Sequence, residues 1–154
     1  MKPESLEKYR KIQEKFDLPR YNDLKATFKF DVENFESIDQ IRSEISDKLF
    51  SLSERVIEHI IVGGESYCCL FEQDMVTQEE RQSMFEIYKK LQVLKWENNL
   101  LSIKPNEKKT GEWIRKTWDL WNSDIESEMT KICKKLSVAW SDLRFKEEKI
   151  HYSG

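Results

Sequence analysis

The chain has 154 residues, the size of one ordinary domain and enough to bury a continuous core. Only four glycines and three prolines are present, which argues against an all-β sandwich because that fold needs a turn about every 8–12 residues. The net charge of -3 excludes a protein that binds polyanions over its whole surface, although the part from Lys104 onward is mildly basic.

The first elements in chain order are a helix, a short helical turn and an extended segment. Apolar residues at helical spacing predict a helix over Glu4–Phe16, which ends before Pro19 because a residue preceding proline avoids the α region. Tyr21–Thr27 is predicted to form a short helical turn. Phe28–Val32 then alternates apolar and polar residues, which predicts an extended aromatic segment lying on the helices.

A long amphipathic helix follows, and a second capped helix begins about 40 residues later. Ser37 and Gln40 match a capping box at the start of the first of these helices. Its apolar stripe comprises Ile38, Ile41, Ile45, Leu49, Leu52, Val56 and Ile60. Gly63 and Gly64 are predicted to end it. The pattern is uninformative from Glu65 to Val76, and Thr77 with Glu80 forms a second capping box.

The C-terminal third is predicted to contain one loop and two helices. Lys104–Gly111 is the clearest loop, and a Trp-rich helix follows it. Asn122 and Ser123 are predicted to interrupt that helix, since Ser123 and Glu126 match a third capping box in front of the last helix. Residues 147–154 are expected to be a frayed tail.

These patterns predict an all-α fold, a compact bundle of about five principal helices with one short extended aromatic segment. The whole chain, residues 1–154, is expected to form this single helical domain. The longest apolar runs, such as Ile60–Val62, are far below the roughly 20 residues that cross a bilayer. The first residues, from Met1, contain no apolar signal core, so we expect a cytoplasmic protein that does not enter the membrane.

Three stretches of the sequence together resemble a small all-helical archaeal family. They are Leu18–Leu24, Phe28–Phe30 and Phe85–Leu91, with a long helix between the second and the third. The resemblance covers most of the chain. It implies a helical cytoplasmic protein, and it implies no activity and no functional residue.

The three cysteines can be interpreted in two ways. Cys68 and Cys69 are adjacent and Cys133 is remote, a spacing that does not match a structural zinc site, and no Glu-x-x-His motif for a di-iron centre is present. We therefore predict no metal and no cofactor. His59 lies close enough in sequence for a Cys–His pair with Cys68 or Cys69, which makes these two possible reactive thiols. Alternatively, all three are unreactive thiols, and His59 complements the dipole at a helix C-terminus.

A cluster of tryptophans next to basic residues is the most unusual feature of the sequence. This candidate partner or nucleic-acid surface comprises Lys104, Lys108, Lys109, Arg115, Lys116, Trp113, Trp118 and Trp121. Tryptophan anchors many protein interfaces and also stacks on bases. Three interpretations remain open: the rings form the core of the bundle, a protein interface, or a platform for nucleic acid.

The leading functional hypothesis is a non-enzymatic helical module for protein interaction or regulation. It predicts a protein partner or self-association through a surviving apolar patch. The alternative is an RNA- or ribosome-associated protein that uses the basic, Trp-rich C-terminal third. An enzyme that uses Cys68 or Cys69, for example as a redox thiol, is the third hypothesis.

Overall fold

The computed structural model describes residues 1–143, and the regular secondary structure in this part of the chain is entirely helical. The elements are α1 (Pro3–Phe16), α2 (Tyr21–Phe28), α3 (Ile38–Ser53), a π-helical segment (Glu54–Glu58), α4 (His59–Ile61), α5 (Tyr67–Met75), α6 (Gln78–Ile103), α7 (Glu107–Leu120), a second π-helical segment (Trp121–Ile125) and α8 (Glu126–Asp142). The predicted all-α class is confirmed. The predicted frayed tail at 147–154 lies outside the described residues.

The extended segment after α2 is shorter than predicted. Phe28 is the last residue of α2, and Lys29 ends that helix in the left-handed conformation with φ 56°. Phe30 and Val32 are nevertheless buried, as the alternating pattern predicts. Tyr21 anchors the segment, because its hydroxyl accepts a hydrogen bond of 2.8 Å from the backbone N–H of Val32.

The long helix predicted after Ser37 is interrupted by a π-helical turn but not broken. Gln40 caps its start by accepting from the backbone N–H groups of Glu36 and Ser37. In the π-helical segment the chain continues in helical conformation into α4, and the N–H of His59 bonds to a carbonyl five residues earlier. Gly63 follows α4 with φ 74°, which glycine adopts without steric cost. The predicted end of the helix at this glycine pair is confirmed.

The second predicted capping box is formed at the start of α6. The hydroxyl of Thr77 accepts from the backbone N–H of Glu80 at 3.2 Å, and the carboxylate of Glu80 accepts from the N–H of Thr77 at 2.9 Å. α5 precedes it in the part of the sequence where the pattern is uninformative. Its start is capped by the Ser66 hydroxyl, which accepts from the N–H of Cys69 at 3.3 Å.

Two boundaries in the C-terminal third were predicted wrongly. The loop ends at Asn106, whose side chain caps α7 by accepting from the N–H of Lys109 at 2.9 Å. Gly111 lies inside α7, where α1 passes close to the backbone. A Cβ at this position would be 3.0 Å from the Cβ of Phe16, which explains a glycine within the helix. The break at Asn122–Ser123 and the third capping box are also absent, because α7 runs through the second π-helical segment into α8.

The core lies where α3 packs against α2, α6 and α7. It contains both aliphatic and aromatic side chains from these helices, including Leu24, Phe28, Ile41, Ile45, Leu49, Leu91, Leu94, Trp113 and Ile114. Burial of this apolar surface is the main stabilising contribution to the fold. Among the described residues, no helix combines the length and apolar character that a membrane crossing requires.

Candidate functional site

Trp113 is a core residue. It is 3% exposed, and its indole N–H donates a hydrogen bond of 2.9 Å to the backbone carbonyl of Leu94 in α6. A buried tryptophan with a satisfied N–H stabilises the contact between two helices. For this residue the structure agrees with the core interpretation.

Trp118 and Trp121 are half-buried and pack around one aromatic ring of α2. The centroid of the Phe28 ring lies 6.5 Å from that of Trp118 and 5.3 Å from that of Trp121. Both tryptophans thus hold α2 against the junction of α7 and α8. None of the three tryptophans of the candidate surface is exposed.

The five basic residues of the candidate surface fall into two groups. Arg115 lies 3.7 Å from a carboxylate oxygen of Asp17, and Lys116 lies 2.8 Å from one of Glu97. The other three, Lys104, Lys108 and Lys109, are exposed where α6 ends and α7 begins. The positive charge of the region is therefore concentrated at this helix junction.

The outward face of α6 carries five exposed apolar side chains, with Lys89 among them and its Nζ 5.5 Å from the centroid of the Phe85 ring. This outer stripe consists of Phe85, Val93, Trp96, Leu100 and Ile103, which are 40%, 51%, 70%, 57% and 82% exposed. At 100° per residue these positions fall within one sector about 80° wide. The opposite face of α6 is buried and includes Ile87, Leu91, Leu94 and Leu101. α6 is therefore apolar on two opposite faces, and only one of them contacts the bundle.

The C-terminal end of the outer stripe borders a groove between α6 and α7. The groove has a volume of about 380 Å³, and Leu100, Leu101 and Trp113 form its apolar part. Two lysines, Lys109 and Lys116, and two glutamates, Glu97 and Glu112, also line it. The groove thus connects the apolar stripe with the helix junction, and its charged lining is of both signs.

Cys69 is the thiol that the fold brings together with a base. Its Sγ lies 3.8 Å from Nδ1 of His59, and the other ring nitrogen of His59, Nε2, lies 2.5 Å from Oε2 of Glu72. Cys69 is partly buried, whereas Cys68 and Cys133 are exposed. We call Cys69, His59 and Glu72 the thiol cluster. The sequence spacing indicated a possible partner for the thiol, but nothing in it identified Glu72.

Glu72 is held in place by two hydrogen bonds. Its Oε1 accepts from the indole N–H of Trp140 at 2.8 Å, and the Trp140 ring packs on Phe71 with a centroid distance of 4.6 Å. Partial burial acts to raise the pKa of Glu72, but the hydrogen bonds from Trp140 and His59 outweigh it, and the net pKa lies below the ordinary value. The carboxylate is therefore ionised at neutral pH.

A second groove adjoins the thiol cluster. It has a volume of about 320 Å³ and is lined by His59, Glu72 and Cys133 together with the apolar residues Val56, Ile60 and Leu136. Arg55 adds a positive charge to its wall. Within residues 1–143, no three or more His, Cys, Asp or Glu side chains are placed to hold a metal ion.

Comparisons with known proteins identify no relative of this chain. The resemblance to an archaeal helical family therefore stays a prediction. No protein-family model, no curated protein and no solved structure matches the chain.

Proposed function

We propose that this protein is a helical interaction module that self-associates through the outer stripe of α6. The observation that carries the proposal is the second apolar face of α6, which points away from the bundle and includes Trp96 at 70% exposure. A helix that is apolar on two faces is typical of an element that packs on both sides. We further propose a cytoplasmic location, which the three free cysteines support because reducing compartments keep thiols unpaired.

The size of the outer stripe fits a weak dimer. Its five side chains expose about 500–600 Å² of surface, which is large for one apolar patch on a monomer. Pairing two copies would bury on the order of 1,000 Å², the lower end of the range for specific interfaces. We therefore expect a dissociation constant on the order of 10 µM or weaker.

Charge complementarity favours a second copy of the chain as the partner that covers the outer stripe. Lys104 directly follows the last residue of α6 and comes 18 positions, or five helical turns, after Glu86, so its backbone lies on the same side of the outer stripe as Glu86. In an antiparallel pair, Glu86 of each copy then faces Lys104 of the other. Glu86 already lies 2.7 Å from Lys89 of its own chain, so these contacts favour the register more than they add affinity.

The same register brings the apolar residues together. The two-fold axis would pass near position 95, and the two copies of Trp96 would meet beside it. Ile103 of one copy would then pack near Phe85 of the other. A buried aromatic pair at the centre with apolar contacts at both ends is the arrangement of a typical interface hot spot.

Sedimentation equilibrium from about 5 to 500 µM tests the proposal. We expect the mass of the wild type to rise towards that of a dimer, and Trp96→Glu to remain monomeric over the whole range. Val138→Glu is the matched control, because Val138 is 58% exposed on α8 and lies outside the outer stripe. A wild type that stays monomeric at the highest concentration contradicts the proposal, as does a Trp96→Glu variant that dimerises normally.

Charge reversal tests the antiparallel register separately. Glu86→Lys and Lys104→Glu should each weaken the dimer several-fold through like-charge contacts. The double variant should restore the wild-type constant, because each pair is then re-formed with opposite polarity. If the two losses instead add in the double variant, this register is wrong.

RNA association through the basic third is the second candidate, supported by the exposed lysines Lys104, Lys108 and Lys109 at the helix junction. Arg115 and Lys116 contribute little to it because acidic residues lie beside them. A titration with single-stranded RNA at two salt concentrations distinguishes the candidates. Binding that weakens steeply with salt supports RNA association, and no binding at low salt rejects it.

A further inference from the structure

We propose that Cys69 is an activated thiol that exchanges with small organic disulfides, with His59 as its base and Glu72 as the residue that orients His59. This inference is independent of the outer stripe, which lies on a different helix. It assigns a second, chemical property to a chain whose main proposed role is interaction. The evidence is the position of two α5 side chains, Cys69 and Glu72, on either side of the His59 ring of α4.

The hydrogen bond between Glu72 and His59 determines which nitrogen of the ring is free. An ionised carboxylate is only an acceptor, so Nε2 of His59 must carry the hydrogen that it donates to Glu72. In the neutral ring the lone pair is then on Nδ1, the atom 3.8 Å from the Cys69 sulfur. The base thus faces the thiol in the tautomer that can accept its proton.

Two further features favour the thiolate of Cys69. It is the third residue of α5, within the first helical turn, where the helix dipole stabilises negative charge. Proton transfer would produce an imidazolium between the thiolate and the Glu72 carboxylate, and both anions stabilise it. The other ionisable groups lining the groove beside His59 are Arg55 on the π-helical segment and Cys133 on α8.

The exchange is balanced without any further reactant. Nδ1 of His59 takes the proton of the Cys69 thiol, and the thiolate attacks one sulfur of the disulfide. The bond between Cys69 and that sulfur forms while the original disulfide bond breaks. The departing thiolate takes the proton back from His59, so one disulfide and one thiol give a mixed disulfide and one thiol. The reaction is stoichiometric and oxidises Cys69 while it reduces the departing half of the reagent.

The chain contains its own matched control for the test. Cys68 lies in the same helical turn and is more exposed, but His59 contacts Cys69. Two single-thiol variants, Cys68→Ser/Cys133→Ser and Cys69→Ser/Cys133→Ser, are treated with dipyridyl disulfide at pH 7, and release of the pyridinethione is followed. We expect Cys69 to react at least tenfold faster than Cys68, although it is less exposed. Equal rates, or a faster Cys68, would overturn the proposal.

His59→Gln in the Cys69-only variant tests the base. We expect the rate to fall to that of Cys68 or below, while Glu72→Gln causes a smaller loss because the ring keeps its nitrogen but not its orientation. An unchanged rate in folded His59→Gln protein overturns the role of His59. Mass spectrometry of the wild-type protein after incubation with glutathione disulfide should find the adduct on Cys69.

Discussion

Arg42 connects three helices through a buried polar network, and its removal should destabilise the fold strongly. Its Nε donates to a carboxylate oxygen of Asp39 at 3.1 Å within α3, and its Nη1 donates to the side-chain oxygen of Asn98 in α6. Nη1 also lies 3.2 Å from the hydroxyl of Ser102. The same Asp39 oxygen accepts from Thr110 in α7 at 3.2 Å.

The expected loss in free energy of unfolding follows from the number of hydrogen bonds that Arg42 makes and from the exposure of their partners to water. A hydrogen bond to a charged group contributes about 1.5–3 kcal/mol, and breaking a buried ion pair costs about 3–5 kcal/mol. Asp39 is 38% exposed, so water can replace part of what it loses. We therefore expect Arg42→Met, which keeps an apolar stem, to lower the free energy of unfolding by about 2–4 kcal/mol.

Urea denaturation followed by circular dichroism measures this loss. Arg10→Met is the control, because Arg10 is exposed on α1, and its loss should stay below about 0.5 kcal/mol. Arg42→Lys should fall between the two, since a lysine keeps the charge but cannot form the same fork of hydrogen bonds. A loss below about 1 kcal/mol for Arg42→Met would refute the reasoning, because the network would then contribute no more than a surface pair.

Three further predictions concern single side chains. Trp113→Phe should cost about 1–2 kcal/mol because it removes a buried hydrogen bond and leaves a gap, whereas Trp96→Phe should leave the urea midpoint unchanged. The hydrogen bond from Lys135 lowers the pKa of Glu80. Ionised Glu80 therefore stabilises the fold at pH values above the ordinary pKa of a glutamate, and this stability is lost as the pH falls. Glu80→Gln should therefore flatten the fall in thermal midpoint between pH 5 and pH 3, and an unchanged fall would contradict this assignment. Burial raises the pKa of Tyr9, so the protein should lose stability as the pH rises above about 10, and Tyr9→Phe should reduce that loss in thermal melts.

The helices were predictable where periodicity and capping agree. Ser37 and Thr77 begin helices because each is followed by a side chain that completes a capping box and then by a regular apolar stripe. The errors occur where a tertiary contact overrides a local signal. Gly111 is a typical loop residue, but here it serves the close approach of Phe16, and Ser123 could cap a helix that in fact continues through a π-helical turn.

The candidate sites were predictable only in part. The short sequence distance between His59 and Cys69 indicated a possible pair, and the fold brings the two into contact. Glu72 was missed because the sequence around α5 shows no clear period. The outer stripe was not predicted because a helix that is apolar on two opposite faces shows no single amphipathic stripe.

The π-helical turn in front of His59 makes the contact between His59 and Cys69 tolerant of the loss of one residue. A π-helical turn contains one residue more than an α-helical turn, so the segment Glu54–Glu58 rotates the chain by about as much as an α-helical segment that is one residue shorter. Loss of a single codon within Glu54–Glu58 would therefore restore a regular turn and leave the following residues close to their present orientation, with His59 still facing Cys69. Loss of a codon from the regular part of α3 would instead rotate His59 by about 100° relative to the buried face of that helix.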